Sequence, residues 1–101
     1  MDYITLNNGL KMPIVGFGTM NIFDLDECTK VLKDAYEVGY RLFDCAQIYG
    51  NEEIVGQALE KARIPRNEIF LTTKVWFSEF EGEKVRQSVL ESMRKLKTDY
   101  L

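Results

Sequence analysis

Apolar and polar residues along this chain switch between two spacings. Short apolar runs ending in Gly, Asp or Lys suit buried strands, and between them apolar residues recur at helical spacing. The chain opens with Tyr3-Ile4-Thr5-Leu6, then Asn7-Asn8-Gly9, then Leu10-Lys11-Met12-Pro13. Asn-Gly between short apolar runs predicts a β-hairpin with a type I′ turn, whose two central residues both need positive φ. Ile14-Val15-Gly16-Phe17-Gly18 predicts a buried strand that ends in glycines. Asp24 can cap the helix that follows, and Glu27 stands three residues on, as in a capping box. Leu25, Cys28, Val31, Leu32, Ala35 and Val38 form its apolar face, and Gly39 ends it.

The same order then repeats. Tyr40-Arg41-Leu42-Phe43-Asp44 predicts a strand, and Asn51 a cap for a second helix with Ile54, Val55, Ala58, Leu59 and Ala62 inward. Pro65 blocks its continuation. Residues 69–75 are β-branched and aromatic and suit a third strand. Glu81 or Glu83 opens a third helix, with Val85, Val89, Met93 and Leu96 on one face, and Asp99-Tyr100-Leu101 reads as the start of another strand. A hairpin followed by repeated strand–helix units argues for an α/β fold with a parallel sheet covered by helices.

Active sites of such sheets gather at the C-terminal ends of the strands. Applied here, that rule puts Gly18, Thr19 and Met20 after the first parallel strand, Asp44 and Tyr49 after the second, and Lys74 and Trp76 after the third. Each residue has an ordinary reading: a turn cap for Asp44, packing for Tyr49 or Trp76, a solvated charge for Lys74. Together they suit one chemistry. A tyrosine with its ordinary pKa of about 10 is a poor proton donor at neutral pH, an ammonium beside it stabilises the phenolate, and a carboxylate keeps that ammonium charged and aimed. Asp44, Lys74 and Tyr49 would then make a general acid suited to protonating a carbonyl oxygen as hydride arrives from a cofactor. Gly16-Phe17-Gly18 is no dinucleotide fingerprint, because Asn21 stands where a third glycine is needed. Its glycines read first as residues that let the chain turn, and second as room for a nicotinamide.

Composition narrows the alternatives. The net charge is −3 with no basic run, so a nucleic-acid partner is not expected. No stretch is long and apolar enough for a membrane span, and the N-terminus lacks signal-peptide character. The two cysteines, Cys28 and Cys45, make no disulfide framework, so the expected setting is reducing and cytoplasmic, with both thiols as packing groups. The chain has no histidine, which removes Ser-His and Cys-His catalytic pairs and nearly all catalytic zinc sites; no metal is expected.

Three segments in register resemble the aldo-keto reductases: Val15-Gly16-Phe17-Gly18-Thr19 after a hairpin, Asp44-Cys45-Ala46-Gln47-Ile48-Tyr49-Gly50-Asn51-Glu52, and Thr72-Thr73-Lys74-Val75-Trp76. The general look is similar to bacterial members related to diketogluconate and glyoxal reductases. The resemblance implies the N-terminal portion of a (β/α)8 barrel whose base is closed by the hairpin, with residues 1–101 supplying about three of its eight βα units. It implies NADPH-dependent reduction of aldehydes and ketones, with a small carbonyl compound as partner and a monomeric full-length enzyme. Asp44, Tyr49 and Lys74 would be members of the catalytic tetrad, with Tyr49 as proton donor. Gly18, Thr19 and Asp44 would meet the nicotinamide end of the cofactor, and Met20, Tyr49 and Trp76 would line the substrate pocket. Met20 stands where many members have an aromatic residue. The family's fourth tetrad member is a histidine, which this chain lacks, and its phosphate-binding residues lie later in the barrel, so the chain alone is expected to show no turnover. Two other readings stand beside this one: a non-enzymatic fragment that associates through an open sheet edge, and, ranked last, a Schiff-base enzyme with Lys74 as nucleophile.

Overall fold

The computed structural model describes residues 2–101. Strands β1 (Tyr3–Thr5) and β2 (Lys11–Pro13) form an antiparallel hairpin with Tyr3 opposite Pro13 and Thr5 opposite Lys11. Its turn differs from the predicted type I′. The Gly9 N–H donates to the Leu6 carbonyl at 2.9 Å and the Leu6 N–H to the Leu10 carbonyl at 2.7 Å, a three-residue connection. Gly9 has a left-handed φ of +87° but Asn8 does not. Asn8 instead accepts the Leu10 N–H on its Oδ1 at 3.1 Å, so its side chain supports a type I turn closed by a left-handed glycine.

Beyond the hairpin, β3 (Gly16–Gly18), β4 (Leu42–Asp44) and β5 (Phe70–Thr72) form a parallel sheet in that order. The strands are shorter than their apolar runs predicted. Ile14 and Val15 precede β3 and lie exposed, at 54% and 47%, against the expectation of a strand buried along that run. Residues 99–101 form no strand; Tyr100 lies with its ring 3.7 Å from the Arg66 guanidinium.

The pleat divides the sheet into rows. Phe17, Phe43 and Leu71 sit side by side and pack toward the helices. Gly16, Leu42 and Phe70 form one row on the other face, and Gly18, Asp44 and Thr72 another at the C-terminal end. Gly16 is explained by packing rather than by turning, since neither it nor Gly18 has a left-handed φ. A Cβ at Gly16 would come within 2.2 Å of Leu42 Cδ2, so the close approach of β3 to β4 demands glycine there.

Helices α1 (Leu25–Glu37), α2 (Glu52–Lys61) and α3 (Gly82–Lys95) cover one face of the sheet. Cys28, Leu32 and Ala35 of α1 meet Val55, Ala58 and Leu59 of α2 over Phe43 and Leu71, which is the centre of the core. Fully burying a side chain such as Leu32 or Phe43 contributes about 1.5–3 kcal/mol. Val38, assigned to the apolar face by spacing, is the C-cap of α1 and is 77% exposed. In α3 only Ser92 and Leu96 of the inward face are buried; Val85, Val89 and Met93 are half-covered. With helices on one side only, the molecule is a slab of 39 × 36 × 20 Å.

Asp24 caps α1 as predicted, accepting the Glu27 N–H at 3.0 Å. All three helices end in the Schellman motif, with Tyr40, Ile64 and Thr98 donating back to Ala35, Leu59 and Met93. Gly39 takes the left-handed position in α1, but Arg63 (φ 57°) and Lys97 (φ 55°) occupy it in α2 and α3. Lys97 gains an ion pair with Glu60 at 3.1 Å, whereas Arg63 has no ion pair among the described residues. Arg63→Gly is therefore expected to stabilise the fold by about 0.5–1 kcal/mol, read as a rise in urea midpoint at unchanged slope.

Candidate active site

The upper row of the sheet places Asp44 between Gly18 and Thr72. Lys74, two residues beyond β5, reaches back over it. Its Nζ donates to Asp44 Oδ1 at 2.9 Å and Oδ2 at 2.8 Å, and to the Cys45 carbonyl at 2.9 Å. The ammonium is thus anchored on three acceptor atoms while its side chain stays partly open to solvent. The Thr72 hydroxyl adds a 2.5 Å hydrogen bond to Asp44 Oδ1. Oδ2 accepts only from Lys74 and retains acceptor capacity toward the rim.

Burial alone would raise the Asp44 carboxyl, but the hydrogen bonds from Lys74 and Thr72 and the ammonium's charge more than offset it, leaving its pKa below the usual carboxylate value. Burial alone would lower Lys74, and the bond to Asp44 reverses that, so its pKa lies above the usual lysine value. The pair is charged across the neutral range. Its side chains are 54% and 39% exposed, so solvent screening holds its contribution to stability to within about 1 kcal/mol. Asp44's depressed pKa gives a contribution present above the usual carboxylate range and lost as pH falls through its folded value. Lys74's raised pKa gives one present below the usual lysine range and lost only as pH rises through its folded value. Urea unfolding is accordingly expected to separate the wild type from Asp44→Asn at neutral pH, with the gap closing on acidification below the carboxylate range.

Tyr49 arrives on the same rim by a different route. After β4 the chain makes a single 3₁₀ turn, Gln47–Tyr49, which Gly50 closes with a left-handed φ of +70° before α2 begins. Lys74 Nζ lies 5.4 Å from the centre of the Tyr49 ring. Tyr49 is half-buried, and its phenol helps to raise the Lys74 pKa through its charge and a side-chain hydrogen bond to the ammonium. The sheet thereby brings together the acid and phenol that follow β4 and the amine that follows β5.

Thr19, Gly18, Met20 and Trp76 take distinct places. Thr19 is fully buried, and both its N–H and its hydroxyl donate to the Asp44 carbonyl, at 3.1 and 3.0 Å. Its side chain therefore holds the β4 end in place. A Cβ at Gly18 would meet nothing within 4 Å, so the rim beside Asp44 is open there. Met20 is 60% exposed. Trp76 is half-buried, with its ring centroid 4.4 Å from that of Phe77.

Several residues of the site were not singled out from sequence. Gln47 accepts the Trp76 N–H at 2.8 Å and donates to Ser92 at 3.2 Å, so it ties the aromatic loop to α3. The buried Glu52 carboxylate accepts from Thr73 at 2.7 Å and from Ser92 at 3.1 Å, anchoring the residue next to Lys74. Asn51 does not cap α2 with its side chain. It is 1% exposed, and its Nδ2 donates to the carbonyls of Thr19 at 2.7 Å and Ile22 at 2.9 Å, so it clamps the loop after β3. A cap would use its Oδ1, which is buried without a hydrogen-bond partner among the described residues, and the clamp uses its Nδ2; the fold fixes the amide by the clamp. The long-range partners of these groups leave no local spacing to read.

The cysteines behave as packing groups. Burial, with Glu27 nearby, pushes the Cys28 thiol up to about 11, and burial pushes Cys45 to about 12 despite the Thr19 hydroxyl. Both stay protonated and unreactive near neutrality. Among the described residues no cluster could hold a metal ion, and no helix is long and apolar enough to cross a membrane.

The model of the aldo/keto reductase family matches residues 14–101. Methylglyoxal reductase DkgB of Salmonella typhi is 44% identical over 92 residues, covering 91% of this chain and 34% of that protein. The NADPH-dependent D-xylose reductase of Meyerozyma guilliermondii is 41% identical over 102 residues, covering 97% of this chain and 32% of its own length. Among solved structures, an aldo/keto reductase from Brucella melitensis superposes with a TM-score of 0.88 at 41% identity, covering 99% of this chain and 38% of that one. A putative 2,5-diketo-D-gluconic acid reductase B gives 0.86 at 44% identity, covering 100% of this chain and 36% of that one. The chain thus spans about a third of the length of the curated relatives it matches. A family model matched over residues 14–101, with relatives of this identity along nearly the whole chain, settles its kinship: the chain belongs to the aldo/keto reductase family.

Proposed function

We propose that this chain supplies the proton-donating part of an NADPH-dependent carbonyl reductase, as the opening third of a (β/α)8 barrel domain. The observation that carries the reading is the Lys74 ammonium, held by Asp44 and the Cys45 carbonyl with its Nζ 5.4 Å from the centre of the Tyr49 ring. Tyr49 gives its proton to the carbonyl oxygen, and the adjacent ammonium favours the phenolate left behind. Asp44 keeps Lys74 charged and oriented. Open space at Gly18 and the spare acceptor capacity of Asp44 Oδ2 suit the nicotinamide end of the cofactor, which when bound supplies the hydride. On this rim the described residues offer no free cation for the cofactor's phosphates, because Lys74 is paired. Met20 and Trp76 stand as sides of the substrate wall.

The test is a hybrid in which this chain replaces the matched third of methylglyoxal reductase DkgB. The hybrid is expected to bind NADPH, read by quenching of protein fluorescence, and to oxidise it when methylglyoxal is added. A hybrid that binds NADPH but leaves it unoxidised contradicts the reading. A second reading has one observation in its favour: β3 and β5 each leave an edge without a strand partner among the described residues, which supports association of copies through the sheet. Light scattering of the chain alone tests it, and a stable monomer counts against it.

A further inference from the structure

We infer that Glu52 is a positioning residue for the rim and that it acts through Thr73, the residue before Lys74; this rests on the carbonyl-reductase reading. β5 ends at Thr72, and residues 73–76 belong to no strand or helix, so Lys74 stands on a segment outside regular structure. What holds that segment is a set of bonds on either side of Lys74. The Thr73 hydroxyl donates to Glu52 Oε2 at 2.7 Å. The Lys74 carbonyl accepts the Gln47 backbone N–H at 3.0 Å. The Trp76 backbone N–H donates to Gln47 Oε1 at 2.8 Å. Gln47 Nε2 donates in turn to the Ser92 hydroxyl at 3.2 Å, and that hydroxyl donates to Glu52 Oε1 at 3.1 Å. The chain of bonds leaves the segment at residue 73, returns to it at residue 76 and has Glu52 at its centre.

The donor count explains why residue 52 is an acid. Thr73 and Ser92 each spend their only hydroxyl proton on it, so both its oxygens must accept. A carboxylate does this and a carboxamide does not. Glu52 and Ser92 are 4% and 1% exposed. Burying a carboxylate against hydroxyls alone is costly, and for stability alone an apolar side chain of similar volume would serve as well. What the acid secures instead is the placing of two loops. Glu52 is the first residue of α2 and Ser92 lies in α3, and their bonds run to the loops that carry Tyr49 and Lys74. Gln47 opens the 3₁₀ turn that ends in Tyr49, so one network orders the loop of the phenol and the loop of the ammonium. Lys74 needs that backing, because its Nζ bonds to Asp44 and the Cys45 carbonyl aim the ammonium only while the backbone beneath it stays in place.

Thr73→Val keeps the shape of the side chain and removes the hydroxyl, whereas Thr73→Ser keeps the hydroxyl. Amide hydrogen exchange of the chain, followed by NMR, is the first readout. Thr73→Val is expected to speed exchange at the Gln47 and Trp76 N–H groups by about tenfold or more, with Leu32 in the core of α1 unchanged, and Thr73→Ser to hold all three within about twofold of the wild type. Glu52→Gln sets an amide donor against one of the two hydroxyl donors and is expected to act as Thr73→Val does. Single-turnover NADPH oxidation by the hybrid is the second readout. There Thr73→Val is expected to slow the reaction about ten- to a hundredfold with NADPH affinity held within about twofold, and Thr73→Ser to restore the rate. A network that only stabilises the fold gives another pattern, with exchange rising at Leu32 as much as at Gln47 and Trp76, and that pattern would overturn the inference. So would unchanged exchange at Gln47 and Trp76, a serine variant that behaves as the valine one, or a valine hybrid that reacts at the parent rate. An unsubstituted hybrid that leaves NADPH unoxidised counts against the reductase reading instead, while exchange in the chain still decides whether Glu52 and Thr73 hold the loop.

Discussion

Tyr49→Phe in the hybrid is expected to lower the rate of carbonyl reduction by about 10²–10⁴-fold, the range a positioned general acid supplies. NADPH binding and stability should hardly change. The reason is structural: the ammonium beside Tyr49 keeps its bonds to Asp44 and the Cys45 carbonyl, so removing the hydroxyl leaves no buried group unpaired. A core tyrosine would behave in the opposite way, losing stability before it lost rate. Steady-state kinetics together with urea unfolding of both forms distinguish the two. A variant that loses stability but keeps its rate returns Tyr49 to the packing role that its sequence alone allowed.

The largest effect on stability is expected at Gly56. A Cβ there would lie 2.2 Å from the Lys95 carbonyl oxygen and 2.8 Å from the Leu96 Cα. Both are backbone atoms at the end of α3, so no rotamer change relieves the clash and the two helices must separate. Overpacking costs about 1–3 kcal/mol when side chains can yield, and here Gly56→Ala is expected at or above the top of that range. That is a large share of the stability of a domain this size. The loss should appear as a lower urea midpoint. Gly18→Ala is the control, since its Cβ meets nothing within 4 Å and stability should hold.

How far these features could be read from sequence depends on the distance over which each is decided. Helical faces and the Asp24 cap are local, and both were legible. So was the shared rim, because the rule that loops after parallel strands meet at one end needs only strand order. The hairpin was legible but its turn was not: Asn8 could supply a left-handed φ or a side-chain acceptor, and the Leu10 N–H chose the latter. Asn51 failed for a related reason: its Nδ2 is held by carbonyls of the loop after β3, and its buried Oδ1 finds no hydrogen-bond partner among the described residues, the α2 N–H groups included. Gly16 was read as a turning residue, and what demands it is the Leu42 side chain on the neighbouring strand. Glu52, Gln47 and Ser92 left no signal at all, because a buried network joining α2, α3 and two loops has no sequence spacing.

The central claim is that Lys74 acts through Tyr49. A double-mutant cycle on single-turnover NADPH oxidation by the hybrid tests it most directly, using Lys74→Met, Tyr49→Phe and both together. The account predicts that each single change costs orders of magnitude and that the pair costs little more than Tyr49→Phe alone. Losses that multiply, so that the double variant is slower by the product of the two, would mean that Lys74 serves some other group and would contradict the account.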